Sequence, residues 1–249
     1  MRRTILVAVL MSIPASAQWV HVPTPGIPRA KDGQPNLGAA VPRARDGKPD
    51  LSGIWVAADG KYLPNIAADG VEVPIQPWAA AIYKERQEQN GKGRPSERCI
   101  SHGLPDYDAL PIPIKLIQTS GEIVVLYEAF NHYRQIFTDG RTFPESREPT
   151  WLGYSVGKWD ANILVADTIG FNDETWLDDG GHPHTDALHI TERFRRKDFG
   201  HMEIAITIDD PKAYTKPWGA TIPYDLLPDT ELIEAVCSHE KDAPHMVGK

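Results

Sequence analysis

Only two cysteines, Cys99 and Cys237, occur in the 249 residues, so the chain is no disulfide-dense miniprotein and carries no cysteine-rich metal ligand set. No apolar run approaches the roughly 20 residues a membrane helix requires. Positive charge is neither abundant nor clustered. The formal net charge is -8, which argues against nucleic acid or an anionic membrane as partner. A Gly-rich phosphate loop, a Cys-x-x-Cys-His haem signature and a His-Glu-x-x-His zinc motif are all absent, which counts against nucleotide, c-haem and zincin chemistry.

What is present begins with an export signature. Arg2 and Arg3 precede an apolar stretch, Ile5 to Ala15, and Ala15-Ser16-Ala17 supplies the small-x-small cleavage pattern. Residues 1–17 are read as a signal peptide, which places the mature protein in the periplasm or outside the cell. In that oxidising setting Cys99 and Cys237 are expected to form a disulfide. Residues 18–50 hold a tandem repeat, Pro28-Arg-Ala-Lys-Asp-Gly-Gln-Pro-Asn-Leu37 echoed by Pro42-Arg-Ala-Arg-Asp-Gly-Lys-Pro-Asp-Leu51. Two copies are too few for a solenoid, and the prolines forbid regular ladders, so an extended Pro-rich arm is expected. Residues 51–249 form the folded domain.

In that domain Pro77 and the spacing of Trp78, Ala79, Ile82 and Tyr83 predict one helix over 77–90. From residue 113 onward, short alternating segments are punctuated by turn signals. Strands are expected at 114–119, 122–128, 132–138, 151–159, 162–168, 188–196, 201–208 and 231–237. Sequential hairpins without intervening helices define a mainly all-β fold, an antiparallel meander closed into a barrel to hide its edges.

Several motifs carry a resemblance. Gly53-Ile-Trp55, the Gly157-Lys-Trp159-Asp-Ala-Asn-Ile-Leu-Val165 hairpin and Thr191-Glu-Arg-Phe-Arg195 are similar to lipocalin-like (calycin-type) barrels. The opening at 42–55, Gln135-Ile-Phe-Thr-Asp-Gly-Arg141 and the Asp210-Pro to Pro217-Trp218 stretch resemble an uncharacterised family of exported bacterial proteins. The resemblance implies a barrel and export. It implies no activity.

The densest polar segment runs from Asp173 to Arg196, between apolar hairpins, where a barrel mouth would lie. One reading is metal-free acid–base chemistry by a lyase, isomerase or hydrolase on a small oxygenated molecule. His184 would be the base, Asp186 its orienting partner, and Arg193 or Arg141 the oxyanion donor. Asp173, Trp176, Asp178, Glu192 and Glu128 would bind the substrate. Glu192, on an apolar strand face, is alternatively the partner of Arg134 or Arg141. Another reading places zinc or a different divalent metal on His182, His184 and His189; otherwise no cofactor is called for. The rival function is a non-catalytic small-molecule binder using the same mouth. The oligomeric state is left open.

Overall fold

The computed structural model describes residues 22–146 and 148–237. The expected signal peptide, residues 1–17, lies outside them. The strands are β1 (Gly53–Ala57), β2 (Ile114–Gln118), β3 (Glu122–Tyr127), β4 (Tyr133–Phe137), β5 (Tyr154–Asp160), β6 (Ile163–Ile169), β7 (His189–Arg196), β8 (His201–Asp209) and β9 (Trp218–Leu226). Each pairs with the next, and β9 returns to β1 through Trp55↔Leu226, closing a nine-strand barrel. Period-two alternation directs Ile123, Val125 and Tyr127 of β3 and Met202, Ile204, Ile206 and Ile208 of β8 inward. Each such aliphatic side chain removed from water contributes about 1.5–3 kcal/mol.

The pairing departs from a pure antiparallel meander at one seam. β4 and β5 run parallel and share only Ile136↔Ser155 and Phe137↔Val156, whereas β7 and β8 are in register from His189↔Asp209 to Arg196↔Met202. Strand count demands such a seam. A closed ring of wholly antiparallel neighbours needs an even number of strands, and this ring has nine. Segment 138–153 supplies the long connection that a parallel pair requires.

The last strand also differs from expectation. Residues 231–237 offer only the isolated bridge Ala129↔Ala235, and the barrel is closed by β9 instead. β9 lies so close to β8 that a Cβ on Gly219 would sit 1.8 Å from the Ile206 carbonyl oxygen. Only glycine fits there.

Residues 58–113, between β1 and β2, carry α1 (Pro77–Glu88) and the short α2 (Asp106–Ala109). The expected helix is α1, started by Pro77 at its first position and ended by left-handed Asn90 and Gly91. All four residues of α2 are buried, and the Tyr224 hydroxyl of β9 donates to the Asp108 carbonyl. This insertion therefore covers one end of the barrel. Cys99 and Cys237 are bonded, with α-carbons 5.5 Å apart, and tie the insertion to the C-terminal segment.

Within the described part of the arm, residues 22–50, two tight loops interrupt the chain. Each repeat makes the same tight loop, Ala30 N–H to Gln34 and Ala44 N–H to Lys48, with Arg29 and Arg43 donating to the Gly33 and Gly47 carbonyls. Arg29 then reaches Asp229, Arg43 reaches Asn162, and the Gly200 N–H donates to the Leu37 carbonyl. Among the described residues, no helix is long and apolar enough to cross a membrane.

Candidate functional site

The interior of the barrel is polar at one level. Arg134 of β4 is 3% exposed and Glu192 of β7 is 0% exposed. Both guanidinium amino groups engage the carboxylate, Nη1 at 2.9 Å. Arg134 also donates from Nε to Ser155 Oγ (2.9 Å) and from Nη2 to Thr168 Oγ1 (2.8 Å). The two hydroxyls lie 2.9 Å from each other. Burial works against the charge on Arg134, but Glu192 outweighs it and holds the guanidinium protonated. Asp108 reaches toward this pair from α2. Burial first, and the Glu192 charge second, push its carboxyl well above the usual range, so it stands neutral. Of the two readings of Glu192, the partnership with Arg134 is the one present.

The remaining residues expected to act together are held apart by separate partners. His184 is buried, with Nε2 2.7 Å from Thr175 Oγ1 and Nδ1 3.2 Å from the Thr185 carbonyl. That carbonyl can only accept, so Nδ1 carries the proton and Nε2 accepts from the Thr175 hydroxyl. Burial lowers the pKa of His184. Asp186 does not orient it. Asp186 points to solvent and pairs with Lys212 at 2.6 Å. Arg193 pairs with Asp160 at 2.9 Å on the barrel exterior. Arg141 is bound to Asp139 and stacks 3.8 Å over the Phe137 ring.

The mouth itself is filled. Trp176, Leu177, Asp178, His182 and His184 are all buried against the 58–113 insertion. Asp178 accepts from the backbone N–H groups of Ile66, Gly181 and His182 and lies 2.6 Å from His182 Nδ1, which exhausts its oxygens. The Arg86 guanidinium lies 4.2 Å over the Trp176 ring. Asp173 is exposed, and Glu128 accepts from the Ile233 N–H of the C-terminal segment. The three histidines do not share an ion-sized space. His182 faces Asp178 and stacks on Tyr83 at 4.1 Å, His184 faces Thr175, and His189 faces Asp167 at 3.2 Å on the surface.

Among the cavities of the described residues, two bear on ligand chemistry. The first is the β4–β5 seam, where the strands separate beyond their short pairing. A groove of about 350 Å³ opens there, lined by His132, Tyr133, Phe137, Trp151 and Tyr154, with Arg134 and Ser155 at its floor. Tyr133 is 65% exposed, unusual for so large a ring with no fold-related duty. The second is a small cavity of about 10 Å³ under the insertion, bordered by Arg94, His102, Asp106 and Asp179. Among the described residues, His102, Asp106 and Asp179 are the histidine and carboxylate group whose atoms lie within 4.8 Å of one another.

The start of β5 and the residue before it read Gly153-Tyr-Ser155-Val-Gly157, the spacing of a serine nucleophile turn. Ser155 sits within a strand rather than a strand-to-helix turn, and its hydroxyl bonds Arg134 and Thr168 with no histidine partner. It is a supporting residue of the ion pair.

No family model and no curated protein matches this chain, so neither supports the resemblance to an exported bacterial family. Among solved structures, the crystal structure of the N57A mutant of the fluorescent protein UnaG is similar at a TM-score of 0.36 and 16% identity. The match covers 73% of this chain and 97% of that one.

Proposed function

We propose that the protein is an exported, non-catalytic binding protein for a planar small organic molecule, taken up in the β4–β5 groove. The observation that carries this reading is the aromatic lining of an open groove at the one seam where the barrel is least paired. Its volume of about 350 Å³ falls in the range of small-molecule sites, roughly 300–1,000 Å³. Trp151, Tyr133 and Tyr154 offer ring faces, which favour a flat apolar partner. The floor favours no net charge, because Glu192 neutralises Arg134. An uncharged or weakly polar ligand fits best. Export is supported by the Cys99–Cys237 bond, which persists in oxidising compartments.

The dispersal of His184, Asp186, Arg193 and Arg141 onto separate partners favours binding over acid–base catalysis. The uncharged dye Nile red tests the groove directly. Saturable one-to-one fluorescence enhancement is expected, weakened about tenfold or more by Trp151→Ala, the loss of roughly 1.4 kcal/mol of ring contact. No saturable binding, or equal binding by Trp151→Ala and Tyr133→Ala, would show that the groove is not the site.

A further inference from the structure

We infer that His102, Asp106 and Asp179 form a binding site for a single divalent transition-metal ion that fastens the insertion over the barrel end. The three residues come from two segments. His102 precedes α2, Asp106 opens it, and Asp179 lies in the loop between β6 and β7. One ligand atom from each lies within 4.8 Å of the others, so a small side-chain adjustment would bring all three to about 2.0–2.2 Å from a common ion.

Three observations point to an occupant. The cavity that His102, Asp106 and Asp179 border has about 10 Å³ of room, enough for one ion or one water and no more. Asp106 is 4% exposed, and its Oδ1 has no hydrogen-bond partner although Oδ2 lies 2.7 Å from His102 Nδ1. A buried carboxylate oxygen left without a donor is costly, so a partner is called for. Finally, charge is out of balance. Asp106, Asp178 and Asp179 converge here, and Arg94, the cation in the cavity lining, reaches Asp179 at 2.7 Å while also pairing with exposed Glu97. A dication would offset the remaining carboxylate charge, and Asp179 has a second oxygen to offer it.

Donor chemistry narrows the ion. One imidazole nitrogen with carboxylate oxygens suits zinc or a neighbouring first-row dication and disfavours calcium and magnesium, which prefer all-oxygen shells. The backbone is shaped to bring the donors together. Gly103, between His102 and the rest of the segment, adopts a left-handed φ of +76° and packs where a Cβ would meet Thr175 Oγ1 at 2.5 Å. The hydrogen bond from Gly181 to Asp178 turns the loop that presents Asp179.

Chelator-stripped full-length protein titrated with Zn²⁺ in the presence of millimolar Ca²⁺ is the test, followed by isothermal calorimetry and melting. One equivalent bound, with a raised melting temperature, is expected. Asp106→Asn and Asp179→Asn should each weaken Zn²⁺ binding by roughly tenfold or more while leaving the circular dichroism of the metal-free protein unchanged. Asp179 is part-exposed, so its variant keeps the test readable if Asp106→Asn fails to fold. Absence of stoichiometric Zn²⁺, or undiminished binding by the soluble variants, overturns the site. In that case a water fills the cavity, or surface histidines such as His201 hold the metal. Nile red binding in the β4–β5 groove is measured separately and decides neither result.

Discussion

Removing one partner of the Arg134–Glu192 pair should damage the protein far more than removing both. In Glu192→Met the guanidinium of Arg134 keeps its charge at 3% exposure, with the Ser155 and Thr168 hydroxyls bonded to it and the buried Asp108 carboxyl as the remaining acid beside it. Stranding a buried charge in this way costs about 3–5 kcal/mol. For a domain of this size, each kcal/mol lowers the melting temperature by roughly 2–4 °C, so a drop of about 6–20 °C is expected. Arg134→Met strands the carboxylate instead, and costs less where Glu192 can take up a proton. The double variant leaves two apolar side chains of similar volume facing each other. Ser155 and Thr168 remain partnered through their own 2.9 Å hydrogen bond. Replacing a whole buried pair by apolar residues is often neutral or better, so the double should cost about 1–2 kcal/mol at most. Urea unfolding followed by tryptophan fluorescence gives all three values. If the double loses as much as the two singles together, the pair is uncoupled and the electrostatic account of the interior is wrong.

Two further expectations follow from buried titratable groups. Asp108 is held neutral in the fold, whereas in the unfolded chain it ionises above about pH 3.9. Its folded pKa is the higher, so its cost to stability is absent at low pH and grows as pH rises; Asp108→Asn should therefore raise the melting temperature at pH 7 and leave it unchanged near pH 3, and equal shifts at both would refute the assignment. His184→Ala leaves the buried Thr175 hydroxyl without its partner and should cost about 1–3 kcal/mol in urea unfolding, while a melting temperature within a degree of the parent would mean the ring is not structural.

The barrel was legible where residues alternate cleanly and turns are signalled. β3, β6, β7 and β8 follow from period two and from the Ser120-Gly121, Asp160-Ala161 and Phe199-Gly200 turns. β9 was hidden because Gly219 and Pro223 interrupt its pattern, and proline normally marks an edge. Pro223 is tolerated because the ladder to β1 ends beside it, at Ala57↔Tyr224, and its carbonyl accepts from the Ala58 N–H. The site was harder to read. The polar density of residues 173–193 is real, but its meaning depends on the 58–113 insertion, which has no sequence signal of where it docks. Once docked, the polar groups of the loop cap backbone N–H groups, as Asp178 does, and cease to be free for a ligand. The four-residue spacing of His102 and Asp106 was the signal available for the cavity beneath α2. It was masked by the richer histidine cluster at 182–189.

The position of the open groove follows from strand count. An odd barrel must contain a parallel junction, and a parallel junction cannot be made with a tight hairpin. The chain therefore spends 138–153 on a crossing connection, which returns through the Thr150↔Phe171 bridge before β5 begins. That connection fixes where β5 enters and leaves β4 and β5 only two register pairs. Elsewhere each strand edge is covered by its neighbour; here Tyr133 and Trp151 line the gap instead, and the interior pair is reachable through Ser155 and Arg134. The opposite constraint acts at the barrel end. There the insertion is held by the Cys99–Cys237 bond, by α2 and by the Tyr224–Asp108 hydrogen bond, so entry through the mouth would require those contacts to break together. The seam imposed by parity is therefore where the barrel wall is least paired.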